Sequence, residues 1–309
     1  MSRTFVIAAG VFVVAFVLFA AWLLGTAWYR VPHHEVSPAT DLEAPIMTPD
    51  EYRAVIDTHR RPFVYEIEAT DQHGTGAVFV YGAEHTMTPD DSQIVDIATR
   101  WEAFAPTVAL VESDLGMMFP AFMDPVETFG EVGAVHALAR EAGIPTYTWE
   151  PPNDVLVASL KEQGFTTEEV AIRVMLGPYF SNLRHGRPEN PEAFVEEYRA
   201  ERVRWAGLEN TFASVDEIDA EWRMRFPDGP DWRDVSDEYG LPGFLAEMDA
   251  NRARDEHFAR VVIDLARNGE RVFAVCGLSH AVKLEPALRA TLGNLREDHE
   301  SRQTIGKDE

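Results

Sequence analysis

The chain has one cysteine, Cys276, among 309 residues, so an internal disulfide is excluded and the redox compartment is left open. Lysine is almost as scarce, with positions 161, 283 and 307 the only ones among 27 basic residues. Against 52 acidic residues this gives a net charge of −25. A surface so acidic repels nucleic acid and anionic lipid, which argues against both as partners.

A local absence says more. From Thr4 to Tyr29 no side chain is charged, and most are Phe, Val, Ile, Leu or Ala. A helix needs about 20 apolar residues to cross the hydrocarbon core, whereas the apolar region of a cleaved signal peptide runs to about 7–15. Residues 1–30 therefore read as a single transmembrane anchor, although Gly25-Thr26-Ala27 also offers a small-residue cleavage site. Trp22, Trp28 and Tyr29 lie toward its far end, where amphipathic rings favour the headgroup layer. Arg3 precedes the span. After Arg30 no Lys or Arg follows until Arg53, while Glu35, Asp41, Glu43 and Asp50 do. The positive-inside rule then places the N-terminus in the cytoplasm and the body in the periplasm or outside the cell.

Beyond the anchor, residues 31–47 hold three prolines and His33-His34, and read as an irregular tether. Residues 48–296 read as one α/β domain. Thr48-Pro49-Asp50-Glu51 is a helix start. The alternating run FVYEIEA (63–69) and the run 77–81 predict a hairpin around Asp71–Gly76. Thr88-Pro89-Asp90-Asp91 opens a helix to about Phe104, TVALV (107–111) is a buried strand, and a helix covers Val132–Ala142. Pro145–Trp149 and RVFAVC (271–276) are further strands, and a long helix is expected from about Phe244 to Arg267. Helical stretches between about 153 and 243 form an insertion, packed by Trp205, Trp222 and Trp232. Residues 297–309 are a charged tail. Short apolar strands separated by helices predict an α/β fold with a mixed, partly parallel sheet covered by helices, a helical insertion and one N-terminal transmembrane helix.

Chemistry gathers at the strand ends. Gly82-Ala-Glu-His85 and Gly277-Leu-Ser-His280 each follow an apolar strand and precede a helix, while Glu112 follows TVALV and Glu150 follows PTYTW. Ligands of open α/β sheets bind outside the carboxyl ends of the strands. Parallel neighbours would bring His85, Glu112, Glu150 and His280 to one crevice, a set suited to a divalent transition metal. Leu245, Met248, Phe258, Val262 and Leu265 mark an apolar stripe on the long helix, with Asn251, Arg254 and Asp255 on or beside it, where they need partners. The blander readings stand alongside: Glu112 as the cap of a turn, Arg254 and Asp255 as a structural ion pair, and Glu150 as a loop acid.

In order, Gly82-x-x-His85, Val111-Glu112, Arg254-Asp255 and Gly277-x-x-His280 resemble the TraB/GumN–Tiki group. That group belongs to a wider set with the ChaN-like haem-binding proteins and the erythromycin esterases. The resemblance spans roughly residues 62–290. It implies a metal-dependent peptidase or esterase with His85, His280 and Glu112 as ligands of Mn, Co or Zn, and haem as a weaker cofactor candidate. Glu112 would be a third ligand or the general base, and Arg254 the group holding an oxyanion or a substrate carboxylate, oriented by Asp255. Glu150 has no counterpart in the motif and enters by position alone. A metal-free pairing of histidine and glutamate remains open. So does a second class of function, a non-enzymatic subunit docked to a larger membrane-protein complex through its helix and acidic body.

Overall fold

In a computed structural model, residues 3–71, 74–113, 115–183, 186–235, 241–248 and 250–293 are described, without the side chains of 3–13 and several others. The expected charged tail lies outside them. The chain divides into two compact units, Met1–Glu150 with Asp255–Glu309, and Pro151–Arg254.

The first unit opens with helix α1 (Arg3–Thr26). At 1.5 Å per residue it is about 36 Å long. Among the described residues no helix is long and apolar enough to cross a membrane, but the first half of the expected span falls on residues whose side chains lie outside them. The described second half is open to its surroundings: Phe16, Val17, Leu18, Phe19, Trp22 and Leu24 are all exposed. Trp28, two residues beyond α1, is buried and pairs with Met118 through two backbone hydrogen bonds of 2.8 and 3.2 Å.

The segment expected as a tether has neither helix nor regular strand, and it is laid against the unit throughout. Pro32 accepts from the Thr148 amide at 3.0 Å, and Met47 donates to the Lys283 carbonyl at 3.2 Å. Between them Asp264 gathers the chain, taking hydrogen bonds from His34 (2.8 Å) and the Thr40 hydroxyl (2.9 Å).

Helix α2 (Pro49–Val55) starts in a reciprocal cap between Thr48 and Glu51. Strands β1 (Phe63–Asp71) and β2 (Gly74–Ala83) form the hairpin. Helix α3 (Ser92–Phe104) is capped by Asp91, leaving Thr88 in the preceding turn. After β3 (Val108–Val111), helix α4 (Pro125–Ala142) begins about two turns before the expected start, capped by Asp124 and broken at Gly130 (φ 64°, ψ −148°). Strand β4 (Thr146–Thr148) closes this part.

The second unit is helical: α5 (Asn153–Glu162), α6 (Thr167–Asn182), α7 (Pro191–Arg202), α8 (Val215–Arg225) and a short α9 (Phe244–Glu247). Tyr179, Phe180, Trp222 and Trp232 fill its core, with Trp205 partly buried at its margin. Helix α6 runs on through Pro178 to Asn182.

The expected long helix is two helices. Met248 is extended (φ −73°, ψ 102°), and α10 (Ala250–Arg267) starts afresh. The physical reason lies in the packing of the stripe: Leu245 and Met248 belong to the core of the second unit, whereas Phe258, Val262 and Leu265 belong to that of the first. Strand β5 (Arg271–Gly277) and helix α11 (Leu278–Leu292) complete the first unit.

The sheet order is β1-β2-β5-β3-β4, with β1 antiparallel at one edge and the other four strands parallel. Their carboxyl ends therefore share one edge of the sheet. Val272, Ala274 and Cys276 face a core with α10 and α11, while Phe273 and Val275 face one with α3 and α4, so β5 is buried on both sides. This two-faced burial is why RVFAVC is apolar without alternation.

His136 on α4 lies edge-on to Trp28 (centroids 4.9 Å apart), and among the described residues neither of its buried ring nitrogens has a hydrogen-bond partner. Burial and then the Arg140 charge push its pKa down to about 4. The unfolded chain therefore binds a proton near pH 6.5 that the native state refuses until about 4. Stability is full above pH 6.5 and falls as pH drops through this window, by up to about 1.4 kcal/mol per pH unit from this residue. Urea unfolding at pH 7.5, 6 and 5 should show the decline, and His136→Leu should flatten it; an unchanged slope in the variant contradicts the assignment.

Candidate functional site

The parallel register brings Ala83 opposite Gly277 and Leu110 opposite Ala274, so the segments after β2, β3 and β5 leave the sheet side by side. His85 is two residues past β2, Glu112 one past β3, and His280 three past β5, in the first turn of α11. Glu112 Oε2 accepts the Gly277 amide at 2.8 Å, and its Oε1 is 3.9 Å from His280 Nε2. A Cβ placed on Gly277 would lie 3.0 Å from His85 Nε2 and 3.6 Å from Glu112 Oε2. Gly277 has an ordinary extended backbone (φ −60°, ψ 147°), so its lack of a side chain is used for close approach and not for conformation.

Each histidine is held at Nδ1 by a buried carboxylate. His85 Nδ1 is 2.6 Å from Glu131 Oε1, and Glu131 Oε2 also accepts the Thr86 amide at 3.2 Å. His280 Nδ1 donates to Asp255 Oδ1, whose other oxygen takes the Lys283 ammonium at 2.9 Å. Asp255 is fully buried, and Lys283, His280 and Glu131 nearly so. Burial pushes the Asp255 carboxyl up, but His280 and Lys283 outweigh it and hold its pKa below the usual carboxylate value. A carboxylate on Nδ1 fixes the tautomer and makes Nε2 the more basic donor. Both Nε2 atoms are on the Glu112 side.

Trp149 walls the cluster, edge-on to His280 (centroids 5.2 Å apart) and stacked on Phe258 (4.4 Å). Cys276 is fully buried, and burial followed by the Glu112 and Asp255 charges raises its pKa well above that of a free thiol. It stays protonated and is no nucleophile.

The structure thus brings together His85, Glu112, His280 and Asp255. Glu150 is placed by its backbone, whose carbonyl accepts from His33 Nδ1 at 3.0 Å and whose amide donates to the Thr148 hydroxyl at 3.2 Å. Arg254 belongs to the second unit, where its Nη1 donates to Asn251 Oδ1 at 3.1 Å. Two participants escaped the sequence reading. Lys283 is one helical turn beyond His280, a spacing that could have revealed it. Glu131 follows the glycine at which α4 breaks, and a Cβ on Gly130 would be 2.6 Å from the Thr86 carbonyl. A glycine between an Asp-Pro helix start and the rest of an apolar helix was the available signal.

Among the described residues, no three His, Cys, Asp or Glu side chains stand as a ready-made metal-holding group. The donor chemistry still fits a divalent ion, because both imidazoles carry the orienting carboxylate that metal-binding histidines typically have. Gly277→Ala tests the opening between His85 and Glu112. It should weaken Co(II) binding at least tenfold while moving the unfolding midpoint by no more than a few degrees; unaltered binding would show that the opening is not used.

Compared with protein-family models, curated proteins and solved structures, the chain matches none.

Proposed function

We propose that the chain is a membrane-anchored hydrolase of the TraB/GumN–Tiki type, acting on a peptide or ester outside the cytoplasm. The observation that carries this reading is the pairing of two carboxylate-oriented histidines around Glu112, at the carboxyl ends of parallel strands. The exposed apolar second half of α1, together with the uncharged run before it, supports the anchor.

His85 and His280 would hold a divalent ion such as Mn, Co or Zn, which would supply Lewis acidity to water and to a scissile carbonyl. The protein's own part is orientation and proton movement. Glu131 and Asp255 keep the Nδ1 protons in place, so that both Nε2 atoms act as donors toward the substrate side. Glu112 is the general base that takes the proton of the attacking water, while its bond to the Gly277 amide fixes its angle. Trp149 excludes solvent behind His280. No step is assigned to Glu150 or Arg254.

The test is metal content by mass spectrometry of the detergent-purified protein, wild type beside a His85→Ala/His280→Ala double variant. A near-stoichiometric divalent metal, lost in the variant, is the expected outcome. Equal metal in both, or none in the wild type after incubation with manganese, cobalt and zinc, overturns metal-dependent hydrolysis and favours the accessory-subunit reading.

A further inference from the structure

We propose that the loop from Leu115 to Met123 is a second membrane contact, set into the headgroup layer beside the foot of α1. This inference rests on the anchor reading of α1.

In a chain of net charge −25, the loop sequence LGMMFPAFM contains no charged side chain. Leu115 and Met118, 1% and 0% exposed, root it in the unit below, while Met117 and Phe122 stand out at 56% and 66%. The amides of Phe122 and Met123 both donate to the Phe119 carbonyl, at 3.1 and 3.0 Å. Phe119 stacks on Phe122 with ring centroids 5.4 Å apart. A tight turn therefore presents a paired aromatic tip.

Scattered exposed apolar side chains need no explanation, and position is what distinguishes these. Trp28 and Met118 exchange both backbone hydrogen bonds, which holds the loop about 5 Å, one strand spacing, from the chain as it leaves α1. A bilayer that surrounds α1 reaches this level. Phenylalanine and methionine side chains shed water on entering that layer, and removing a large apolar side chain from water is favourable. The Arg140 guanidinium, 5.5 Å over the Trp28 ring, adds a cation at the height of the lipid phosphates. The occupant is lipid and not a protein, because Met118 ties the loop to the chain as it leaves α1, whose exposed apolar side chains the same bilayer would cover.

The experiment uses the full chain in phosphatidylcholine vesicles with an environment-sensitive fluorophore on Ala121→Cys, which keeps both aromatics. Cys276 is fully buried and escapes labelling. Leu18→Cys in α1 and Asn268→Cys, exposed ahead of β5 at the amino edge of the same unit's sheet, are reference sites. Lipids with a nitroxide near the headgroup should quench the label at position 121 several-fold more than that at 268. Met117→Asp/Phe122→Asp should return it to the level of 268 while a mid-chain nitroxide still quenches position 18. Quenching at 18 with position 121 no different from 268 overturns the loop contact and spares the anchor. No quenching at 18 overturns the anchor reading; quenching at 121 would then sustain a surface contact on its own, and its absence would overturn both.

Discussion

Asp255→Asn is expected to lower the unfolding free energy by about 3–5 kcal/mol. The carboxylate is fully buried and answers two donors, the Nδ1 proton of His280 and the Lys283 ammonium at 2.9 Å. Asparagine keeps the volume but removes the charge, stranding a buried ammonium between α11 and α10. Removing one member of a buried ion pair costs far more than the pair contributes, because the survivor loses both water and partner. Adding Lys283→Met should therefore restore much of the stability. It should not restore Co(II) binding, since His280 would still lack the anion that makes Nε2 basic. Urea unfolding and cobalt absorption titrations, on the single and double variants, measure both. A single variant that unfolds within 1 kcal/mol of wild type would mean that Lys283 finds another anion, and the ionic core would lose its claim.

Glu131→Gln should weaken divalent metal binding by about 10–100-fold, the usual range when a carboxylate behind a ligating histidine is lost. The glutamate serves two donors, one oxygen for His85 and one for the Thr86 amide. An amide has only one acceptor oxygen, so one of these donors faces an NH2 group and is left unsatisfied. That alone costs about 1–3 kcal/mol of stability. Isothermal titration at 10 °C, where the variant remains folded, separates the two effects. Wild-type affinity with reduced stability would make Glu131 a prop for the turn at Thr86, with no part in orienting His85.

How much of this was readable from the residues differs by element. The strands declared themselves through continuous apolar runs, TVALV and RVFAVC, because both faces of β3 and β5 are covered. The hairpin was readable from its alternation, and β1 indeed pairs antiparallel with β2. The stripe on the long helix misled, since apolar spacing cannot say which of two cores a side chain enters. Histidines after Gly-x-x pointed to the strand ends, and Asp255 came with its helix. Glu131 could not be found by strand-end logic, as it approaches from the interior of a helix broken at Gly130. The segment 31–47 looked like a tether because prolines exclude regular structure. Its attachment depends on a distant acceptor, Asp264, which no local pattern reveals.

The pairing of Trp28 with Met118 bears on reach. A catalytic unit on a flexible linker sweeps a volume and meets dissolved substrates from any direction. Here only one residue separates the end of α1 from a backbone ladder into the unit, so the unit is mounted and not leashed. With α1 as the proposed anchor, its strand-end crevice would stay at a fixed height and tilt over the lipid. Dissolved substrates gain nothing from such a mount. A substrate itself held in the same membrane gains much, because its search becomes two-dimensional and its scissile bond arrives at a constant altitude. The anchor would thus act as a ruler, selecting bonds by their distance from the bilayer more than by the sequence around them.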